Sequence, residues 1–582
     1  MAVGLLGFGQ AWGALPATVP PNVPAAISND KGLDAAIASG DFTGYLAALS
    51  ASVNQKMRPG ASGVSEAALK ALFANPVFAN TLARRQLIAK IGADKIGAFA
   101  RADPNNKAFL AWLLRNTQAM ELYLEGGTPT GLKAREANTY TLPIASLDIW
   151  KRIYHADPDS KEGLCLRLAI ATALAPPGSG ARGAGQPAAP PDPVDRYKYF
   201  KAARENKELF PSFDDLTVWD YEKVVSSGAS DSDLTWARDM INTWRPDLRI
   251  NEQVVNSTSE VWRRDSPHPY TDYKSVLSGG GKCGPRSSWS VMICQAFGIP
   301  AIGVGQPGHA CVAYKTIAPS LQPQPGNVWK VGYGAGWAVS KLDGLSGPEF
   351  VEGVEARMRT AEFSLVEHLR WLASAIASKE QAGAVMGVVH KITQATPATK
   401  TDLKASERAE EANQEVAPAP ATAKAASAPA STPEPPFKVM PGVLHVEAES
   451  FARMSGVLVL DCYTGGKQVN FQKNMNEGWI EYTVDVPAAG VYGMIMRTAA
   501  ANVDQKFDVS CGGTKLAAVD VPMSTGLWAT TPQVDLKLAR GTQTLRISAP
   551  YQRGIAVRWF ELGPQGTKGS PQGLRTTPLP QR

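Results

Sequence analysis

Residues 279–315 read GGGKCGPRSSWSVMICQAFGIPAIGVGQPGHACVAYK, and this stretch decides the fold that we predict around it. Three glycines lead into Cys283, and Pro285 suits the first turn of a helix, where its missing N–H costs no hydrogen bond. We expect that helix to run to Phe297 and to stop at the following glycine. IPAIGVG then predicts a short strand, QPG a turn, and HACVAYK a second strand that opens on His309.

Cys283 and His309, which begin the helix and the second strand, have side chains that can work together in catalysis. A cysteine at the positive end of a helix dipole is favoured as a thiolate, and the free N–H groups there can stabilise an oxyanion. If the strands pack beside the start of the helix, His309 can reach Cys283 and act first as general base and then as general acid. Cys165, Cys294 and Cys311 are instead interpreted as small buried hydrophobic residues.

This segment, about 270–345, resembles the transglutaminase-like superfamily of papain-like proteins. The family pattern is a Cys at a helix start, a Gly-Ile-Pro turn, a His opening a strand, and a Trp and an Asp on the next strand. The resemblance implies an α+β core in which Cys283 is the nucleophile and His309 the base. It implies cysteine chemistry without a catalytic cofactor, as in a hydrolase or acyltransferase.

The third member of the family's site does not carry over directly. The Trp-x-x-x-Asp ending aligns best with Trp329, which leaves Gly332 or Tyr333 where Asp is expected. The group that orients the histidine is then expected to be Asn327, just before that Trp, or Asp343, further on; papain-like sites also work with an amide side chain there.

Residues about 439–565 switch to period-two patterning with Gly and Pro turns, which predicts an antiparallel β-sandwich. Segments such as GWIEYTVDVPAAGVYGMIMRTAA, TGLWAT and GTQTLRISAP resemble a family 6 carbohydrate-binding module. By that resemblance Trp528 is the aromatic platform for a sugar, since sugar rings stack on aromatic faces. Trp479 and Tyr482 are expected in the core. The family's closing Phe-Asn-x-Asp-Trp is IAVRW here, so Ala556 replaces a ligand Asn and Arg558 an Asp.

The resemblance also bears on metal binding. Glu447 and Glu449 match the carboxylates of a structural calcium site in that family, and hard oxygen ligands suit this ion. Arg558 stands where a further carboxylate is expected.

The chain is therefore predicted to be multidomain: a helical N-terminal region, an α+β transglutaminase-like core and a C-terminal all-β sandwich of the jelly-roll kind. Within this plan, Ser212 and Asp215 stand at capping-box spacing ahead of Leu216, and Ser230 is expected to cap the next helix. The predicted segments are a signal-peptide remnant (1–14), helices (34–175), a low-complexity loop (176–194), the core (195–345), a helical extension (346–395), a disordered Ala/Pro-rich linker (396–438), the sandwich (439–565) and a disordered tail (566–582).

The charge and the apolar patterning of the chain bear on its expected partners and location. The 582 residues carry a net charge of only +6, without long Lys/Arg runs, so a nucleic-acid partner is not expected. The chain contains no later stretch of about 18 uninterrupted apolar residues, so no membrane span is expected. The apolar start, with small residues Ala11 and Gly13, predicts export to the periplasm, cell surface or medium.

Two functions remain open at this stage. One is an exported cysteine-dependent amide or acyl-transfer enzyme (a peptidase, an amidase or a peptide N-glycanase-like enzyme), held near a polysaccharide or glycoconjugate and acting on a peptide or protein. The alternative is a non-enzymatic glycan-binding or surface-interaction protein built on a degenerate transglutaminase-like scaffold.

Overall fold

The computed structural model describes most of the chain. The described residues are 30–57, 64–179, 189–250, 254–255, 257, 272–279, 282–315, 329–395, 437–438, 443–471, 477–550 and 554–564. The predicted signal remnant, Asn327, the tail 566–582 and the linker up to residue 436 lie outside them.

The N-terminal region is helical, as its sequence predicts. Its helices are α1 (Lys31–Ser39), α2 (Phe42–Lys56), α3 (Glu66–Phe73), α4 (Pro76–Ile91), α5 (Ala93–Ala102), α6 (Pro104–Leu113), α7 (Thr117–Gly126), α8 (Leu132–Ala137), α9 (Ile144–Ala156) and α10 (Gly163–Leu174). Asp30, Ser65 and Asn75 cap three of them by accepting hydrogen bonds from first-turn N–H groups. The interior is aromatic, with Trp150 stacked on Tyr123 at 5.3 Å between ring centres.

The central region combines helices with a small antiparallel sheet. It contains α11 (Pro193–Glu205), α12 (Val218–Val225), α13 (Asp231–Trp244), α14 (Ser275–Gly279), α15 (Cys283–Ala296), β1 (Ala301–Gln306), β2 (His309–Lys315), β3 (Trp329–Gly332), β4 (Lys341–Leu342) and β5 (Leu345–Ser346). The sheet order is β3-β2-β1-β4-β5. β1 and β2 form a hairpin that pairs Gln306 with His309, and Gly308 turns it at a φ of 70°.

A helical extension follows and packs back on the N-terminal region. It consists of α16 (Gly347–Met358), α17 (Thr360–Ala375) and α18 (Lys379–Ala395). The guanidinium of Arg357 donates to the carbonyl of Glu125 at 3.1 Å and to that of Thr128. Asn54 donates to the carbonyl of Ala375 at 3.0 Å. These contacts join segments far apart in sequence into one helical body, and none of its described helices is both long and apolar enough to cross a bilayer.

The C-terminal region is all-β. Its strands are β6 (Phe437–Lys438), β7 (Leu444–Glu447), β8 (Arg453–Ser455), β9 (Leu458–Asp461), β10 (Lys467–Phe471), β11 (Gly478–Val486), β12 (Gly490–Ala500), β13 (Gln505–Cys511), β14 (Thr514–Val521), β15 (Trp528–Thr530), β16 (Val534–Leu538), β17 (Gly541–Ala549) and β18 (Ile555–Pro564). One sheet has the path β15-β12-β18-β10-β9 and the other β14-β13-β17-β11-β6. Their inner faces meet through rings such as Tyr482 and Phe560, whose centres lie 4.8 Å apart. The strand at 437–438 lies within the segment that the sequence assigned to the linker.

One predicted helix start is wrong. Residues Pro211–Asp215 form a short 3₁₀ turn, and the capping box is made by Thr217 with Asp220. The threonine hydroxyl accepts from the backbone N–H of Asp220 at 3.2 Å, and the aspartate accepts from the backbone N–H of Thr217 at 3.1 Å. Pro211 favours the tight turn, which moves the helix start along the chain. The cap predicted at Ser230 is confirmed.

Candidate active site and carbohydrate-binding module

Cys283 is the first residue of α15, as the sequence predicts. Lys282, the preceding residue, supplies no side-chain cap to the helix, so its side chain does not compete for the first N–H groups. The helix ends at Ala296, and Gly298 follows in the left-handed conformation with a φ of 76°. Cys283 is half-buried at this helix start, where the first backbone N–H groups of a helix have no partner within it.

The strand that carries His309 packs directly on this helix. The Ser287 hydroxyl, one turn after Cys283, donates to the carbonyl of Cys311 at 2.6 Å. Cys311 lies two residues after His309, on the same face of β2. Burial and, to a smaller extent, the nearby Cys283 together raise the pKa of the Cys311 thiol to about 12. The start of α15 and the start of β2 are therefore neighbours.

The imidazole of His309 is held by the backbone of Tyr333. Its Nε2 atom lies 3.0 Å from the Tyr333 carbonyl oxygen, and the ring is partly buried. Its Nδ1 atom is buried and makes no hydrogen bond within the described part of the chain. If Nε2 carries the proton that this carbonyl accepts, Nδ1 has a lone pair and can accept a proton from a thiol.

Tyr333 has an unusual backbone. Its φ is 42°, in the left-handed region that few side chains adopt without cost. The residue is the fourth after Trp329, which is the place where the sequence comparison expected an aspartate. Its ring lies beneath Arg286 of α15, with the guanidinium 4.4 Å from the ring centre. The ring and Arg286 thus fix the strand end from which the carbonyl reaches His309.

Cys294 and Cys311 are buried, as the sequence predicts, whereas Cys165 is only partly so. Cys294 is fully buried inside α15, and burial raises its thiol pKa. Cys165 on α10 is half-buried, and burial raises its pKa as well. A raised pKa leaves less thiolate near neutral pH, so these groups are poor nucleophiles.

Of the two side chains expected to orient His309, only Asp343 belongs to the described residues. Asn327 lies outside the described residues. Asp343 lies in the turn between β4 and β5, and its carboxylate pairs with Lys223 of α12 at 2.9 Å. Asp343 is therefore engaged elsewhere, and the orienting atom in the structure is the Tyr333 carbonyl. A backbone carbonyl has no residue-type signature, so the sequence indicated only the position.

In the sandwich, Trp528 begins β15 and is half-buried. It pairs with Ala499 of β12, which pairs in turn with Ala556 of β18, and Ala556 pairs with Asn470 of β10. The predicted platform and the substituted ligand position thus lie in one row across the sheet. Tyr482 is fully buried, as expected, whereas Trp479 is half-buried and lies 4.1 Å beneath the guanidinium of Arg546.

The carboxylates proposed for calcium lie at the end of β7 and just after it. Glu447 contacts His445 at 3.3 Å, and Glu449 is exposed. Arg558 donates to the carbonyl of Lys467 and brings a positive charge to the position where a carboxylate was expected. The described residues contain no group of three His, Cys, Asp or Glu side chains arranged for a metal. Calcium takes six or more oxygen ligands, and backbone carbonyls and water can supply some of them, so the calcium site stays a prediction.

Comparison with known proteins identifies the C-terminal region. The profile of the carbohydrate binding module (family 6) matches residues 447–564. No curated protein sequence shows significant similarity to the chain. Similar solved structures include the C-terminal CBM6 of LamC, a laminarinase from Zobellia galactanivorans, at 25% identity and a TM-score of 0.19, covering 21% of this chain and 98% of that one.

Two further structures have comparable coverage. A module of Cellvibrio mixtus lichenase 5A, in complex with cellotriose, is 22% identical over 21% of this chain and 97% of its own, with a TM-score of 0.19. A β-1,3-glucan-binding CBM6 from Bacillus halodurans is 20% identical over 22% and 99%, with a TM-score of 0.19. On the profile match and the sandwich topology, residues 447–564 are a family 6 carbohydrate-binding module.

Proposed function

We propose that this chain is an exported cysteine-dependent enzyme that cleaves or exchanges amide bonds, with Cys283 as nucleophile and His309 as general base and acid. One observation carries the proposal. Nε2 of His309 is bound to the Tyr333 carbonyl, while Nδ1 is buried without a hydrogen bond in the described structure, next to the helix that begins with Cys283. An imidazole oriented through one nitrogen and open at the other is arranged for proton transfer.

The reaction proceeds through a thioester. Nδ1 of His309 takes the Cys283 proton, and the sulfur attacks the amide carbon to form a tetrahedral oxyanion, which the N–H groups at the start of α15 stabilise. The C–N bond breaks, and His309 returns the proton to the leaving amine. Water, deprotonated by the same imidazole, then attacks the thioester and releases a carboxylic acid and the Cys283 thiol; an amine in place of water gives transfer.

The carbohydrate-binding module supports a glycan partner. Linked to the cysteine site, it would hold the enzyme near a polysaccharide or glycoconjugate and raise the local substrate concentration. We propose a peptide, glycopeptide or protein as the substrate, and the periplasm, cell surface or medium as the location. Trp528 is the proposed sugar platform of the module.

The alternative is a non-catalytic glycan-binding protein on the same scaffold. It is favoured by the neutral carbonyl that replaces the expected carboxylate behind His309, because a carbonyl stabilises an imidazolium less than an anion does. The two proposals differ in whether removing the Cys283 sulfur changes any reaction.

An activity screen distinguishes them. Purified full-length chain is incubated with fluorogenic peptide amides, glycopeptides and cell-wall peptides, beside Cys283→Ala and, as a matched control, Cys165→Ala, which removes another half-buried thiol. Hydrolysis by the wild type and the control, but not by Cys283→Ala, supports the enzyme. Equal rates for wild type and Cys283→Ala with every substrate class would reject it.

A further inference from the structure

The C-terminal end of α13 lies on the carbohydrate-binding module. The Thr243 and Trp244 carbonyls accept from Nε2 of Gln468 at 3.1 and 3.4 Å, and the Trp244 carbonyl also accepts from Nδ2 of Asn470 at 2.7 Å. The last carbonyls of a helix have no partner within it. Two side chains of the module therefore cap a helix of the central region.

Two indoles of α13 complete the polar contacts. Nε1 of Trp244 donates to the Gly554 carbonyl at 2.9 Å, and Nε1 of Trp236 donates to the Thr525 carbonyl at 3.2 Å. Trp244 is fully buried and Trp236 nearly so. A buried indole N–H needs an acceptor, and here the module supplies both.

The backbones approach closely because two glycines of the module face α13. A side-chain carbon at Gly526 would overlap Met240, and one at Gly554 would lie 2.6 Å from the Trp244 ring. Both glycines have left-handed backbones, with φ values of 78° and 76°. Even the smallest side chain at these positions would therefore push the module away from α13.

This contact covers the face of the sheet that carries Trp528. Asn470, Ala556, Ala499 and Trp528 are successive partners across β10, β18, β12 and β15, so their side chains share one face. Their chain neighbours Phe471 and Ile555 point into the core of the sandwich, which makes the shared face the outer one. Ala499 and Ala556 are nevertheless fully buried.

We propose that α13 and a glycan are competing ligands of this outer face. In the docked chain the end of α13 uses the amide of Asn470, covers the row beside Trp528 and closes that face to a polysaccharide. A sugar gains access to Trp528 only when α13 leaves. The inference rests on the proposed glycan-binding role of Trp528, and it is independent of the chemistry at Cys283.

The glycines allow a test on the full chain. The double variant Gly526→Ala/Gly554→Ala, called the wedge variant, forces α13 and the module apart. Gly512→Ala/Gly513→Ala is the matched control. Those glycines also have positive φ values, 57° and 82°, and a side-chain carbon there meets nothing within 4 Å. Hydrogen exchange of the α13 amides reports docking, and retention on insoluble β-1,3-glucan, cellulose and xylan reports binding.

We expect the wedge variant, relative to the control, to exchange faster at the end of α13 and to gain about tenfold in affinity for one of these polysaccharides. Trp528→Ala added to the wedge should abolish the gain. If the wedge variant does not fold, Asn470→Asp provides a second route, because its carboxylate repels the Trp244 carbonyl.

Two outcomes would overturn the proposal. In the first, the wild type is retained on a polysaccharide, Trp528→Ala removes that retention, and the α13 amides stay protected from exchange at saturating glycan. The outer face would then be open while α13 is docked on it, and glycan targeting would stand. Loss of α13 protection without any gain in retention would reject the competition and Trp528 as a platform. Neither outcome bears on hydrolysis by Cys283, which the activity screen measures separately.

Discussion

His309 and Tyr333 are joined by a contact of 3.0 Å between the Nε2 atom of the imidazole and the backbone carbonyl oxygen of the tyrosine. This carbonyl occupies the role that a carboxylate has in the family that the sequence resembles. Because the orienting group belongs to the backbone, its direction depends on the conformation of Tyr333 and not on its side-chain chemistry.

That dependence predicts a difference between two replacements of Tyr333. Tyr333→Gly keeps the left-handed backbone easily, whereas Tyr333→Val opposes it, since a β-branched residue is disfavoured there by about 1–2 kcal/mol. Both remove the half-buried ring, so the cost of the lost packing is largely shared. We expect the Cys283 alkylation rate of the valine variant to be about tenfold lower than that of the glycine variant. Equal losses would indicate that the carbonyl does not position His309.

Two serines of α15 form a matched pair. Ser287 donates to the Cys311 carbonyl on the His309 strand at 2.6 Å, and Ser290 donates to the Val255 carbonyl at 2.8 Å. Both are buried, so alanine at either should lower the free energy of unfolding by about 1 kcal/mol in denaturant titrations. Ser287→Ala should slow the Cys283 reaction more than Ser290→Ala does, because, of these two bonds, only that of Ser287 joins α15 to β2. Equal slowing by both variants would contradict this role.

Glu222 of α12 predicts a pH dependence of stability. Burial raises its pKa from 4.5 to about 7, against the opposing effect of Lys223. Above pH 4.5 the folded chain holds a proton that the unfolded chain releases. The stability that protonated Glu222 contributes is therefore fully present below pH 4.5 and is lost as the pH rises through about 7. The loss is on the order of 3 kcal/mol.

Glu222→Gln removes that titration. Its free energy of unfolding, relative to the wild type, should rise as the pH goes from 4.5 to about 7, measured by urea titration at several pH values. Glu205→Gln, an exposed position at the end of α11, is the control for loss of charge. A constant difference between Glu222→Gln and the wild type over this range would refute the prediction.

Local rules predicted the elements of the candidate site. A proline in the first turn and a glycine past the end mark α15, and a Pro-Gly turn between two apolar runs marks the hairpin that presents His309. The sequence also marked Gly332 or Tyr333 as the place of the missing aspartate. It assigned the orienting role to the side chain of Asn327 or Asp343. It did not identify the orienting group, because any residue has a carbonyl and its direction follows from a φ that a tyrosine rarely adopts.

The contact between α13 and the module was not predicted at all. Trp236 and Trp244 fit the apolar pattern of an ordinary buried helix face, and Gln468 and Asn470 look like polar strand residues. Their pairing depends on how two distant segments fold against each other. The misplaced capping box at Ser212 has a local cause instead, since a proline-led turn and a better-placed Thr217 lie within the same few residues.

Activation of Cys283 by His309 is measured by the alkylation of each cysteine with iodoacetamide at about pH 6, followed by mass spectrometry. An ordinary thiol is about 1% thiolate or less at that pH. Cys283, Cys165 and Cys511 are all half-buried, so differences among them report chemistry more than access. We expect Cys283 to react at least about tenfold faster than the other two, and His309→Ala to remove this advantage. Equal labelling of the three cysteines in the wild type would contradict it.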